Sequence, residues 1–220
     1  MPEIRIRKKY KANPKFVSLV VLLIALPIFL NAFRITPQTI GDVANPAIVD
    51  EFCSNSFNDE DCDDRAFRSG QPVFGVSLIL HMIGGSMMML SPAITLNSDI
   101  LRRHRKAHKF FGYIFILGGV IAGSSALIMT LIAPDRFDSF NAFTNLLWGS
   151  LLLLFPLLAI ISVFKRDIAS HQAWMIRAYA VAAGPAFHRI FFFLEPLIGD
   201  FGVSVMAILL GEIVIRKIRL

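Results

Sequence analysis

The chain has 220 residues, 55% of them hydrophobic, and a positive mean hydropathy of +0.61. It holds 22 Lys and Arg against 16 Asp and Glu, for a formal charge of +6 and a pI near 9.6. So apolar a composition excludes an ordinary soluble domain. The basic residues sit in short connections between apolar runs, which excludes a nucleic-acid surface and fits orientation signals.

In chain order, Arg5, Arg7, Lys8, Lys9, Lys11 and Lys15 precede a first apolar run, Phe16–Phe33. That basic start resembles a signal peptide. The run is too long for one, and Asn31-Ala32-Phe33-Arg34 is a poor cleavage site, so it reads as an anchoring span. Residues 34–72 are polar and acidic, with Asp42, Asp50, Glu51 and the run from Asp59 to Asp64, and read as an extracytoplasmic loop. The two cysteines, Cys53 and Cys62, both fall there, and an oxidising compartment predicts a disulfide between them.

Five more runs follow: Val73–Leu96, Phe110–Ala133, Ala142–Phe164, Gln172–Leu194 and Phe201–Ile215. A span needs about 20 apolar residues at 1.5 Å rise each, so the last is the shortest candidate. Arg102, Arg103, Arg105, Lys106 and Lys109 separate the second and third runs. Lys165 and Arg166 follow the fourth, and Arg216, Lys217 and Arg219 follow the sixth. With six spans every basic segment lies on one side, which is then cytoplasmic and holds both termini. The expected fold is all-α: a single polytopic transmembrane domain over 1–220, a six-helix bundle with helices 2–5 as core, in a bacterial inner membrane. Its partners are the lipid bilayer and, at the basic connections, anionic lipid headgroups. Gly84-Gly85, Gly118-Gly119 and Gly123 mark close helix contacts.

The fifth run carries His171, Arg177, His188 and Arg189 among apolar neighbours. Ionised groups at membrane depth cost about 2.5–3.5 kcal/mol each on insertion scales, so they call for partners inside the bundle. Arg177 and Arg189 point to a bound anion, a carboxylate such as Glu212, or the negative charge of a cofactor. By depth, His81 pairs with His188 toward the acidic side and His108 with His171 toward the basic side. Facing neutral imidazoles hold haem iron axially, the architecture of transmembrane b-type cytochromes. His171 and His188 lie 17 residues apart, roughly 100° around a helix, so two such sites face different neighbours. His104 and His108 have the spacing of a helical metal pair, but the surrounding cations repel a metal.

At these residues the chain resembles an uncharacterised bacterial family of predicted membrane proteins with a multi-span core. The resemblance rests on His81 with Gly84, on Leu101-Arg102-Arg103 leading to His108 and Gly112, and on His171, Trp174, Met175, Arg177, Tyr179 and Arg189. It covers about residues 73–194 and implies that His81, His108, His171, Arg177 and Arg189 form the family's polar core. His188 lies outside its pattern. The expected function is a haem-b-binding electron-transfer protein using His81, His108, His171 and His188 as iron ligands, with a quinone or a partner membrane protein at either end. A non-catalytic accessory or assembly subunit and a transporter for a small anion, built on Arg177, His81 and Tyr179, are the alternatives.

Overall fold

A computed structural model describes residues 14–55, 59–191 and 195–219. Among them every regular element is helical. Helix α1 runs Pro14–Ala44, α2 Pro46–Asn55 and α3 Asp59–Gly70; α4 is Pro72–Leu90, α5 Pro92–Thr95 and α6 Ser98–Arg103. Helix α7 is Arg105–Ile132, and after a 3-10 turn at Pro134–Arg136 come α8 Ser139–Phe164, α9 Ile168–Ala182, α10 Gly184–Ile190 and α11 Glu195–Arg219.

Three stretches among the described residues are long and apolar enough to cross a membrane: Pro72–Thr95, Arg105–Ile132 and Ser139–Phe164. Their outward faces are apolar too. Val73, Val76, Leu80, Leu117, Val120, Leu154 and Leu157 are all exposed, a band that suits hydrocarbon and not water.

Helix α4 packs on α7, α7 on α8, α8 on α9, and α9 returns to α4. The four therefore form a ring, with α7 and α9 on one diagonal and α4 and α8 on the other. Glycine sets the closest crossing. A methyl group on Gly84 would stand 2.7 Å from the Ala122 nitrogen and 2.7 Å from the Gly118 oxygen. Gly123 meets the Gly149 oxygen of α8 in the same way. Gly85 departs from the expected packing role, because a methyl there would meet no atom within 4 Å.

The stretch expected as a loop, 34–72, is helical throughout most of its length. Hydropathy marks where the hydrocarbon ends and not where a helix ends, so α1 continues well past Phe33. Cys53 on α2 and Cys62 on α3 form a disulfide, with Cα atoms 5.3 Å apart. Asp42, read from sequence as part of an acidic extracytoplasmic loop, is fully buried between Arg65 and Arg68 of α3. Arg136 closes the same end by reaching Asp64 at 3.5 Å and stacking 4.0 Å over the Phe67 ring.

The fifth apolar run is broken. Pro185 has no N–H to continue the ladder, and α9 ends at Ala182 before α10 resumes at Gly184. At the opposite end a short turn joins α8 to α9. Arg166 takes a left-handed φ of 59°. The Asp167 amide bonds back to Ser162 and the Arg166 amide to Val163, the doubled closure that ends many helices. The Asp167 carboxylate then accepts from the Ser170 amide, 3.0 Å away, and starts α9.

Candidate functional site

His171 is the fourth residue of α9, and the tight turn before it aims its ring back at α8. Its Nδ1 lies 3.0 Å from the Ala159 carbonyl oxygen. A carbonyl only accepts, so Nδ1 carries the hydrogen, and in the singly protonated tautomer Nε2 keeps its lone pair. His81 on α4 is built alike: its Nδ1 donates to the Ala122 carbonyl of α7 at 2.9 Å. Gly84, one turn away, admits α7 close enough for that bond.

His108 is the fourth residue of α7, at the same end of the ring as His171. Its Nδ1 is buried and makes no hydrogen bond. The Thr95 backbone lies beside the His108 ring as a hydrogen-bond acceptor, and the His171 ring is near enough to act on it through space. His108 and His171 thus stand at the same end of the ring, on diagonal helices. His104 does not join them, because it lies between α6 and α7 and is exposed. His188 and Arg189 fall on α10 with side chains outside those described.

Arg177 has a protein partner. Its Nε donates to one Glu212 oxygen and its Nη2 to the other at 3.1 Å, and its guanidinium stacks 4.5 Å from the Trp174 ring centroid. Both side chains are largely buried, 22% and 32% exposed. The pair closes α9 on α11 and meets the arginine's charge without a cofactor. Arg177→Met is expected to cost about 2 kcal/mol, since it strands Glu212, while Arg177→Met with Glu212→Leu recovers part of that. Thermal midpoints of the two single variants and the double variant in detergent check the coupling. A strictly additive cycle would dissolve the pair.

A second polar group escaped the reading of histidines and arginines. Asn141, Thr144, Asn145 and Trp148 of α8 line a cavity of about 350 Å3 together with His81. Their spacing of three, four and seven residues puts them on one helix face. That periodicity of polar residues in an apolar run was the available signal. The Trp148 indole N–H and the Tyr179 hydroxyl are both buried without a hydrogen-bond partner.

Helices of this length and apolarity, folded around these inward polar groups, coincide with a known family. Residues 78–218 match the family described as predicted membrane protein, DUF2306. The chain belongs to DUF2306. The DUF2306 match takes in His81, His108, His171, Arg177 and Glu212, and it starts beyond the disulfide region. It therefore extends past the fifth run to include α11. No curated protein and no solved structure matches the chain.

Proposed function

We propose that this DUF2306 protein is a haem-b-binding electron-transfer protein of the membrane, in which His108 and His171 would hold the haem iron. The observation that carries the reading is the His108–His171 pair itself. One ring has its Nδ1–H committed to the Ala159 carbonyl, the usual way a liganding imidazole is oriented. The other has a buried Nδ1 without a hydrogen-bond partner among the described residues. Among the described residues no group of three or more His, Cys, Asp or Glu is gathered for a bare metal ion. A porphyrin supplies four ligands of its own, so two imidazoles suffice.

Bound haem would supply one-electron redox chemistry. The chain's part is to hold both rings aimed and to exclude water. Arg103, Arg105 and Lys106 stand at the same end and offer positive charge to propionates. His81 is left out of this pair, as is Arg177, whose charge Glu212 answers. Six crossings with the basic end cytoplasmic complete the proposal, and a quinone or a partner protein exchanges the electrons.

The test is an absorbance spectrum of protein expressed with ample haem, before and after dithionite. The expected result is a Soret band that shifts to the red on reduction and is lost in His108→Ala and in His171→Ala. His81→Ala keeps it. A colourless wild-type protein overturns the reading and favours an accessory subunit.

A further inference from the structure

A groove of about 1000 Å3 lies between α1, α4, α5 and α7 and has no place in that proposal. Leu22, Phe33 and Ile83 line it and are exposed, so it opens sideways, where the neighbouring outward faces are apolar. Its serines make no demand on an occupant. Ser18 donates to the Ala93 carbonyl at 2.6 Å, Ser86 to Met82 at 2.8 Å and Ser91 to Met87 at 2.7 Å. Their hydrogens are spent inside the protein, and most of the remaining wall is Leu, Ile, Met and Phe. Water needs two to four polar partners to settle in such a place, so hydrocarbon is the fitting occupant.

Depth and charge say which hydrocarbon. Met82 stands near the middle of the Pro72–Thr95 span and Ile94 at its end. At 1.5 Å per residue the groove wall between them is about 18 Å long, close to the roughly 15 Å of one leaflet, half of the hydrocarbon core. Ile100 of α6 carries the groove on to the basic end. Arg103, three residues further and on the same helix face, is exposed. Arg102 is answered by Asp99 at 2.7 Å, whereas no ion pair holds Arg103 among the described residues. An apolar channel one leaflet deep, ending at an unanswered cation, has the outline of a lipid chain below its phosphate.

We propose that the groove seats one acyl chain of an anionic phospholipid, whose phosphate meets Arg103. This gives Arg103 to the lipid and leaves Arg105 and Lys106 for propionates. Neither His108 nor His171 lines the groove, so the site stands or falls apart from the haem reading.

Native mass spectrometry of the full chain, released from mild detergent, tests it with two added lipids, dioleoyl phosphatidylglycerol and dioleoyl phosphatidylcholine. The second carries its own cation beside the phosphate. The expected result is one retained phosphatidylglycerol, at about tenfold lower concentration than phosphatidylcholine requires. Arg103→Gln, on an exposed side chain outside the packed core, is expected to erase that preference with the thermal midpoint unchanged. Lys165→Gln removes an exposed cation of the α8–α9 turn, which does not line the groove, and is expected to keep it. Ser86→Phe places a ring in the groove and is expected to abolish retention of both lipids. No retained lipid, equal retention of the two, or a loss in Lys165→Gln as large as in Arg103→Gln overturns the proposal. So does a dimer that Ser86→Phe dissolves, since a second copy would then fill the groove.

Discussion

Gly84→Leu is expected to yield no stable folded protein, and Gly84→Ala to lower stability by about 1–3 kcal/mol, the usual cost of overpacking. The reason is that the obstructing atoms are backbone. A Cβ at position 84 meets the Ala122 nitrogen and the Gly118 oxygen, both at 2.7 Å. These atoms belong to the α7 ladder and cannot rotate aside as a side chain does. Helices α4 and α7 must separate along their whole crossing, where tight approach is what binds helices in lipid. The same separation withdraws the Ala122 carbonyl from His81, whose bond to it spans 2.9 Å. The adjacent Gly85→Ala is the control. It enters open space and, by helix propensity, is neutral or stabilising by up to about 1 kcal/mol. Thermal midpoints of the two alanine variants decide the matter. Equal midpoints would mean that α4 and α7 do not cross so closely.

Asp42→Ala is expected to cost about 3–5 kcal/mol, the range for removing one partner of a buried ion pair. One Asp42 oxygen accepts from Arg65 Nε and Nη2 at 2.9 and 2.8 Å. The other accepts from Arg68 Nε and Nη2 at 3.3 and 3.1 Å. The carboxylate is completely buried, and the arginine side chains are 12% and 14% exposed. Alanine therefore leaves two neighbouring cations with their shared anion gone. Since Asp42 ends α1 and the arginines lie on α3, the expected outcome is release of α3 from the bundle. The disulfide still ties α3 to α2. Limited trypsin digestion reads this directly, through cleavage after Arg65 and Arg68 that the wild type resists. Unchanged protection and an unchanged midpoint would show that other contacts hold α3.

Much of the architecture is legible in residue order. The apolar runs Val73–Leu96, Phe110–Ala133 and Ala142–Phe164 correspond to Pro72–Thr95, Arg105–Ile132 and Ser139–Phe164. Bilayer thickness imposes their length, and each residue's transfer preference acts locally. The placement of Cys53 and Cys62 together in the acidic outer segment likewise anticipated their disulfide. Local rules also govern Asp138 and Asp167, which accept from amides three residues on.

What depended on assembly is how each helix is rotated about its axis and which neighbour it meets. In water an apolar stripe reports the buried face. In lipid both faces are apolar, and the stripe fades. Hence the pairing of Arg177 with Glu212, 35 residues on, did not follow from spacing; nor did the burial of Asp42. The polar face of α8 was written in a period of three and four, yet only the ring of helices turned it toward His81. The break at Ala183 needed both, a proline to interrupt the ladder and neighbours to seat the two halves.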